Sequence, residues 1–150
     1  KVGWFLNERI PFTDFISVAF RVNESMPMHI IDTFRKYPDV HKVAVLGATF
    51  KANSDDIRNS LSFKLTRLLS REGFEYRLVE PNLSGYDALE SISDCDAVVL
   101  MTPHKEFKDF NLIASQMDGK SCLYLDIWGF WDEARYASVA GLFRLGDIQS

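Results

Sequence analysis

The spacing of hydrophobic positions changes at Pro38, and this change divides the chain into two parts. Beyond Pro38, short apolar runs alternate with segments in which apolar residues recur every three or four positions. Uninterrupted apolar runs are typical of buried parallel strands, and their alternation with helices predicts an α/β fold. We therefore expect a parallel, Rossmann-like sheet with helices on both faces. The predicted strands are 42–47, 76–79, 97–101, 122–126 and 142–145, and the predicted helices are 61–72, 87–92 and 110–117.

A long amphipathic segment, residues 12–37, precedes this alternation and predicts a single helix. Pro27 should kink or interrupt it, because proline lacks the N–H that a helix interior needs. Tyr37 should end it, because the residue before a proline disfavours helical geometry. Two interpretations stay open: a connector to an upstream part that also offers an oligomer surface, or a helix that packs on this domain.

Composition narrows the class of protein. The chain has 150 residues, 47% of them hydrophobic, and a formal net charge of −4. The acidic balance predicts no general attraction to nucleic acid or to an acidic membrane, and no apolar run is long enough to cross a bilayer. Two cysteines, without a metal-binding spacing, favour free thiols in a reducing cytoplasm. We therefore expect a cytoplasmic domain with no metal site.

Candidate chemistry lies in the loop after the first predicted strand, because parallel sheets bind ligands beyond the carboxyl ends of their strands. Gly47 lets the backbone leave the strand sharply, and Lys51 and Arg58 bring two cations to this edge. Cations beside the N-terminus of the following helix suit a phosphate or pyrophosphate. The alternative is that Lys51 is solvated and that Arg58 pairs with Asp55 or Asp56 to stiffen the turn.

The same loop carries a specific motif: a strand, a glycine, Phe-Lys, and a polar stretch that ends Asp-Asp-Ile-Arg-x-Ser. This motif resembles the signature that opens the C-terminal domain of the UDP-glucose/GDP-mannose dehydrogenase family. The residues that carry it are Gly47, Phe50, Lys51, Asn53, Asp55, Asp56, Ile57, Arg58 and Ser60. Further blocks match the family in order: 21–27 resembles the end of its long central helix, and 79–81, 94–107 and 125–126 resemble its later strands and loops.

The resemblance implies a function and a set of contacts. Such enzymes oxidise the C6 hydroxyl of a UDP-sugar to a carboxylate in two hydride transfers to NAD. Phe50 and Lys51 are then expected to bind the nucleotide sugar, and Arg58 is expected to reach NAD on the N-terminal domain. Residues 1–37 would be the remnant of a central dimerisation helix and linker, and residues 38–150 the C-terminal UDP-sugar-binding domain. A homodimer of the full-length protein is implied in the same way.

Two features of that family have no counterpart here. Its catalytic cysteine, which holds a thioester intermediate, lies in a Gly-Gly-x-Cys motif, and its NAD domain carries a glycine-rich fingerprint. Neither motif occurs in this sequence. The resemblance therefore implies that the chain is a fragment without catalytic residues of its own, which would be inactive alone.

Trp128 is a departure from the family pattern, in which many members have a substrate-binding arginine at this position. A tryptophan can stack on a base or sugar but cannot neutralise a phosphate. Family members that act on UDP-N-acetylated sugars can also depart from arginine here, which favours a UDP-N-acetylhexosamine substrate. The cluster of Trp128, Phe130 and Trp131 is more often core or interface packing than a ligand platform.

Three other side chains are of types that carry chemistry: His104, Cys95 and Cys122. His104 lies at the carboxyl end of a predicted strand and could face a ligand, but a hydrogen-bonded surface histidine is the favoured interpretation. Cys95 and Cys122 read as small buried hydrophobes rather than nucleophiles. The alternative function is a non-catalytic, flavodoxin-like binding or regulatory module, for which no nucleotide effect at Lys51 and Arg58 is expected.

Overall fold

The computed structural model describes residues 14–118, 120–131 and 142–144, and only the backbone of residues 14–17, 19, 20 and 142–144. Its elements follow the predicted alternation closely. The helices are α1 (Asp14–Phe34), α2 (Leu61–Arg71) and α3 (Phe110–Gln116), with short 3-10 helices at Leu89–Asp94 and Lys105–Phe107; the strands are β1 (Lys42–Leu46), β2 (Glu75–Val79), β3 (Ala97–Leu100), β4 (Leu123–Asp126) and β5 (Leu142–Arg144).

All five strands form one parallel sheet in the order β2-β1-β3-β4-β5. In the central register, Val45 lies opposite Leu78 of β2 and Val99 of β3. The chain leaves β1 to one side to form β2 and then crosses to the other side to form β3. The crevice beyond the carboxyl ends of β1 and β3 is thus the topological switch point, where sheets of this order bind ligands.

Alternate residues of β1 point to two separate cores, as the two-residue period of a strand requires. Val43 and Val45 pack with α1 and α2 on one face, and Ala44 and Leu46 pack with α3 on the other. The predicted α/β architecture with helices on both faces is confirmed.

The first helix is continuous from Asp14 to Phe34. Of the two outcomes predicted for Pro27, a kink or an interruption, the structure excludes the interruption. The buried side chains of Ile30, Ile31 and Phe34 anchor the turns after Pro27 in the core, which offsets the lost backbone bond. The C-terminal half of α1 therefore packs on the sheet domain, as one of the two open interpretations expected; the domain boundary at residue 37 stays a prediction.

The predicted helix at 87–92 is wrong in type and register, because a 3-10 helix spans Leu89–Asp94 instead. Asp87 does not begin a helix but binds the sheet: its carboxylate accepts from the Leu78 N–H at 2.9 Å, and its own N–H donates to the Leu78 carbonyl. These bonds cover part of the outer edge of β2, and they hold Asp87 in extended pairing with the strand, so the helical turns begin only at Leu89.

Candidate functional site

Gly47 begins the candidate site at the end of β1. Its φ of +95° lies in the left-handed region, and its N–H donates to the Val79 carbonyl at 2.8 Å. A Cβ built on this residue would meet the Cβ of Thr102 at 2.4 Å and the backbone nitrogen of Thr102 at 2.8 Å. The loops after β1 and β3 therefore touch here, and only glycine permits the contact.

Phe50 and Lys51, the predicted substrate-binding pair, lie at the exposed crest of this loop. Phe50 is 52% exposed, although phenylalanine is usually buried, and Lys51 is exposed beside it. The crest is nonetheless ordered, because the Phe50 N–H donates to the Asp56 carbonyl at 2.7 Å and the Thr49 hydroxyl to the Lys51 carbonyl at 2.8 Å. The pair is therefore presented to solvent from a backbone held at both sides.

Arg58, the predicted cofactor-binding residue, pairs with Asp56. The guanidinium donates through Nε to Asp56 Oδ1 at 2.9 Å and through Nη2 to Oδ2 at 3.0 Å. These bonds lower the pKa of the Asp56 carboxyl to about 2. The arrangement is the ion pair that the sequence offered as an alternative, yet the arginine side chain is 84% exposed and points out of the protein.

His104 occupies a position that the sequence did not predict. The interpretation as a surface histidine is wrong, because the side chain is fully buried. Its Nε2 lies 3.0 Å from Glu80 Oε2 and 3.0 Å from Thr49 Oγ1, and its Nδ1 accepts from the Asn53 N–H at 2.9 Å. The ring is buried because the strand order brings the ends of β1, β2 and β3 together around it.

Glu80 is the second buried residue of the site, and the sequence did not single it out as functional. One carboxylate oxygen accepts from the N–H groups of Ala48 at 2.8 Å and Thr49 at 3.3 Å, and the other accepts from the Asn82 N–H at 2.9 Å. The signal that could have found it is an acidic residue directly after an apolar strand at the switch point. We call Glu80, His104 and Thr49 the buried polar cluster.

Trp128 is exposed, whereas Trp131, three positions later, is buried. Trp131 is buried, with its indole N–H donating to the Phe107 carbonyl at 2.7 Å, so packing is confirmed for that residue. Trp128 is 57% exposed, and its indole N–H donates to the Met101 carbonyl at 3.0 Å. Because Met101 follows β3, the indole is fixed at the same edge of the sheet as the loop after β1, with much of its ring in solvent.

A second exposed lysine, Lys105, lies beside the loop and was not predicted. Its backbone N–H donates to the Asn53 side chain at 3.1 Å, and its own side chain is 76% exposed. With Arg58 paired to Asp56, and Lys105 lying 4.0 Å from the Glu106 carboxylate, Lys51 supplies the exposed positive charge at the Phe-Lys crest, and Lys105 lies close beside it.

The remaining candidates carry no chemistry in the described part of the chain. Cys95 and Cys122 are free and buried, and burial raises the pKa of each thiol to about 12, so neither is a thiolate near neutral pH. Between residues 14 and 131, with 119 left aside, and in 142–144, no cluster of metal-ligating side chains occurs. Nor does any helix in these ranges have the length and apolar character of a membrane span.

Two surface cavities lie elsewhere, toward the amino ends of the strands. One has a volume of about 510 Å³ and is lined by residues of β2 and the turn before it; the other, about 390 Å³, lies between the segments before β1 and β4. Neither includes a residue of the carboxyl edge.

A parallel domain of this order, with an aromatic and cationic loop at its switch point, is a ligand-binding α/β domain. Residues 44–133 match the model of the UDP-glucose/GDP-mannose dehydrogenase family, UDP binding domain. The chain belongs to this family.

Relatives and solved structures agree with that assignment. The chain is 30% identical over 145 residues to a UDP-N-acetyl-D-mannosamine dehydrogenase of Methanocaldococcus jannaschii, covering 83% of this chain and 34% of the relative. An NDP-N-acetyl-D-galactosaminuronic acid dehydrogenase of Ralstonia solanacearum is 28% identical, covering 90% and 34%. A solved UDP-D-ManNAc dehydrogenase from Pyrococcus horikoshii superposes with a TM-score of 0.73 at 28% identity, covering 95% and 36%. The chain thus spans about one third of the length of these proteins.

Proposed function

We propose that the chain is the C-terminal nucleotide-sugar-binding part of an NAD-dependent UDP-sugar 6-dehydrogenase, which oxidises the sugar C6 hydroxyl to a carboxylate. The observation that carries the proposal is the exposed Phe50–Lys51 crest, which lies at the switch point within the segment that matches the family. Without a Gly-Gly-x-Cys motif in the sequence, the chain binds substrate but does not turn it over. A UDP-sugar incubated with the chain and NAD should therefore yield no NADH.

Binding at this edge rests on charge and stacking. A diphosphate carries negative charge that Lys51 neutralises, assisted by the neighbouring Lys105, and Phe50 supplies an apolar face for the sugar or base. Hydrogen bonds within the protein hold the backbone on both sides of Phe50 and Lys51, which limits the conformational entropy lost on binding.

The first prediction concerns Lys51. Lys51→Ala should weaken UDP binding about tenfold, because one charge-assisted contact to phosphate is lost at a partly exposed site. Isothermal titration with UDP measures the effect, and Lys36→Ala, an exposed lysine before β1, is the control for the same change in net charge. Equal affinity of the two variants would contradict the role of Lys51, and no binding by the wild-type chain at millimolar UDP would favour a non-catalytic module.

The second prediction concerns the sugar. The exposed Trp128 ring supports a ligand with a surface that can stack on it. The relatives described above are named for N-acetylated sugars, so we propose a UDP-N-acetylhexosamine as substrate. Trp128→Ala should weaken binding of that ligand about fivefold to tenfold, the lower end of the about 1–3 kcal/mol that stacking on an aromatic side chain is worth, because more than half of this side chain is exposed. Titration of UDP-N-acetylhexosamine beside UDP-glucose is the measurement. A stronger affinity of the wild type for UDP-glucose would reject the sugar.

NAD contacts this domain through Arg58 in our proposal, and the rest of the enzyme holds the cofactor. The exposed guanidinium fits such a role, because Asp56 occupies only Nε and one terminal nitrogen and fixes the group pointing outward. When bound, NAD accepts hydride from the sugar. In the complete enzyme, Arg58→Ala should raise the KM for NAD more than that for the sugar.

Assembly and location complete the proposal. Val18 and Val22 are exposed one helical turn apart on α1, which supports residues 1–37 as part of a dimerisation helix and a homodimer of the full-length protein. Sedimentation velocity tests this state.

Two free buried thiols support a reducing compartment such as the cytoplasm, which fractionation of cells would test.

A further inference from the structure

The buried imidazole of His104 joins the loops that follow three different strands. From the loop after β1 it contacts Thr49 and Asn53, and from the loop after β2 it contacts Glu80 and Asn82. Its own loop follows β3. No water-exposed surface remains on the ring.

Hydrogen-bond directions fix the proton on this ring. A backbone N–H can only donate, so Nδ1, which accepts from Asn53, carries no proton. The ring proton is therefore on Nε2, which faces the acidic oxygen of Glu80 and the Thr49 hydroxyl. That hydroxyl already donates to the Lys51 carbonyl, so Thr49 Oγ1 and Glu80 Oε2 share the imidazole N–H as acceptors.

Thr49 and Asn53 are the residues on either side of the crest formed by residues 50–52. The first end is held independently of His104, because the Thr102 hydroxyl donates to the Thr49 carbonyl at 2.8 Å and Glu80 accepts the Thr49 N–H. The backbone of the second end is held by Nδ1 alone among the contacts of the described residues, since the Asn53 side chain, not its N–H, bonds Lys105.

We propose that His104 is a positioning residue for nucleotide-sugar binding, and that its Nδ1 acceptor fixes the second end of the crest so that Phe50 and Lys51 face the ligand. The inference rests on the proposed function of the same site. Asn53 has a φ of +54°, a left-handed conformation that asparagine adopts more readily than most residues with a side chain, and its N–H bond to the ring holds the backbone in it.

Two substitutions separate the halves of the ring. Asparagine places its amide oxygen near the position of Nδ1 and removes the link to Glu80, whereas glutamine reaches the position of Nε2 and provides no acceptor for Asn53. We expect His104→Gln to weaken UDP binding about tenfold, the equivalent of about 1.4 kcal/mol, and to accelerate hydrogen exchange at the Asn53 amide. His104→Asn should stay within about threefold of the wild type in both measurements.

The experiment uses the 150-residue chain, with calorimetric UDP titration, nucleotide-free amide exchange by NMR, and the free energy of unfolding for each variant. Ile113→Val, a fully buried change on α3 outside the site, is the control for lost stability and should leave Asn53 exchange and UDP affinity unchanged. Rescue by asparagine but not by glutamine supports the inference.

Three results decide the matter differently. Equal losses in both His104 variants, in proportion to their stability, would show a purely structural histidine and overturn the inference. Wild-type affinity in His104→Gln would overturn it too, while leaving the proposed function intact. Absence of UDP binding by the wild-type chain would instead overturn the proposed function, and Asn53 exchange would then still decide whether His104 orders the loop.

Discussion

Gly47→Ala is expected to destabilise the chain by about 3 kcal/mol and to abolish measurable UDP binding. The left-handed backbone at φ +95° costs about 1 kcal/mol for any residue with a Cβ, and the new methyl group would overlap Thr102. Two of the three closest atoms are the Cβ and the backbone nitrogen of Thr102. A change of side-chain rotamer cannot move either atom, so overpacking adds about 1–3 kcal/mol. Relief requires the loops after β1 and β3 to part, and the Phe-Lys crest moves with them.

Gly73→Ala is the matched control for this prediction. Gly73 ends α2 with a φ of +86°, but a Cβ there would meet no atom within 4 Å. It should cost only the backbone strain, about 1 kcal/mol, and leave UDP affinity unchanged. Urea unfolding monitored by circular dichroism gives both free energies. Similar losses in the two variants would show that the contact between the loops does not matter.

The sheet was predictable from the sequence because its inner strands β1, β3 and β4 are buried on both faces. Strands such as 97–100 read as uninterrupted apolar runs, and each observed strand begins or ends within one residue of its predicted limit. Ser60 capping α2 through the Ser62 N–H and Gly73 following its end show that local chemistry also sets the helix limits.

The burial of His104 was not predictable in the same way. A loop histidine reads as exposed unless one knows which strand ends lie beside it, and hydrophobic spacing does not give the strand order. The order β2-β1-β3 places Glu80, from 24 residues earlier, against its ring. Trp128 and Trp131 present the same difficulty: they are three positions apart, and only the path of the chain beyond β4 leaves one exposed and buries the other.

The site residues inferred from the family motif lie together, but their electrostatics differ from the expectation. Lys51 is exposed at the crest, whereas Arg58 is neutralised by Asp56 two positions earlier. The sequence could predict that Arg58 pairs with Asp55 or Asp56, because both are close to it in the chain. It could not predict which of the two, because that depends on the geometry of the turn. No sequence motif placed Lys105 at the site. Its position follows from the structure, in which its backbone N–H donates to the Asn53 side chain.

Glu80→Ala is expected to produce the other large loss, about 3 kcal/mol or more of unfolding free energy together with disordering of the loop after β1. The carboxylate is 3% exposed and accepts from four donors, which are the backbone N–H groups of Ala48, Thr49 and Asn82 and the Nε2–H of His104. Each donor left buried without an acceptor costs about 1–3 kcal/mol, partly offset by water entering the space.

Glu80→Gln separates the contribution of the bonds from that of the shape. The amide keeps one oxygen for the donors of Ala48, Thr49 and His104, and its NH₂ group opposes only the Asn82 N–H, so we expect about half the loss of Glu80→Ala. Glu90→Ala removes an exposed carboxylate from the first 3-10 helix and should change stability by less than about 0.5 kcal/mol. Chemical unfolding of the three variants tests the order, and a Glu80→Ala protein as stable as Glu90→Ala would mean that the buried polar cluster does not hold the site together.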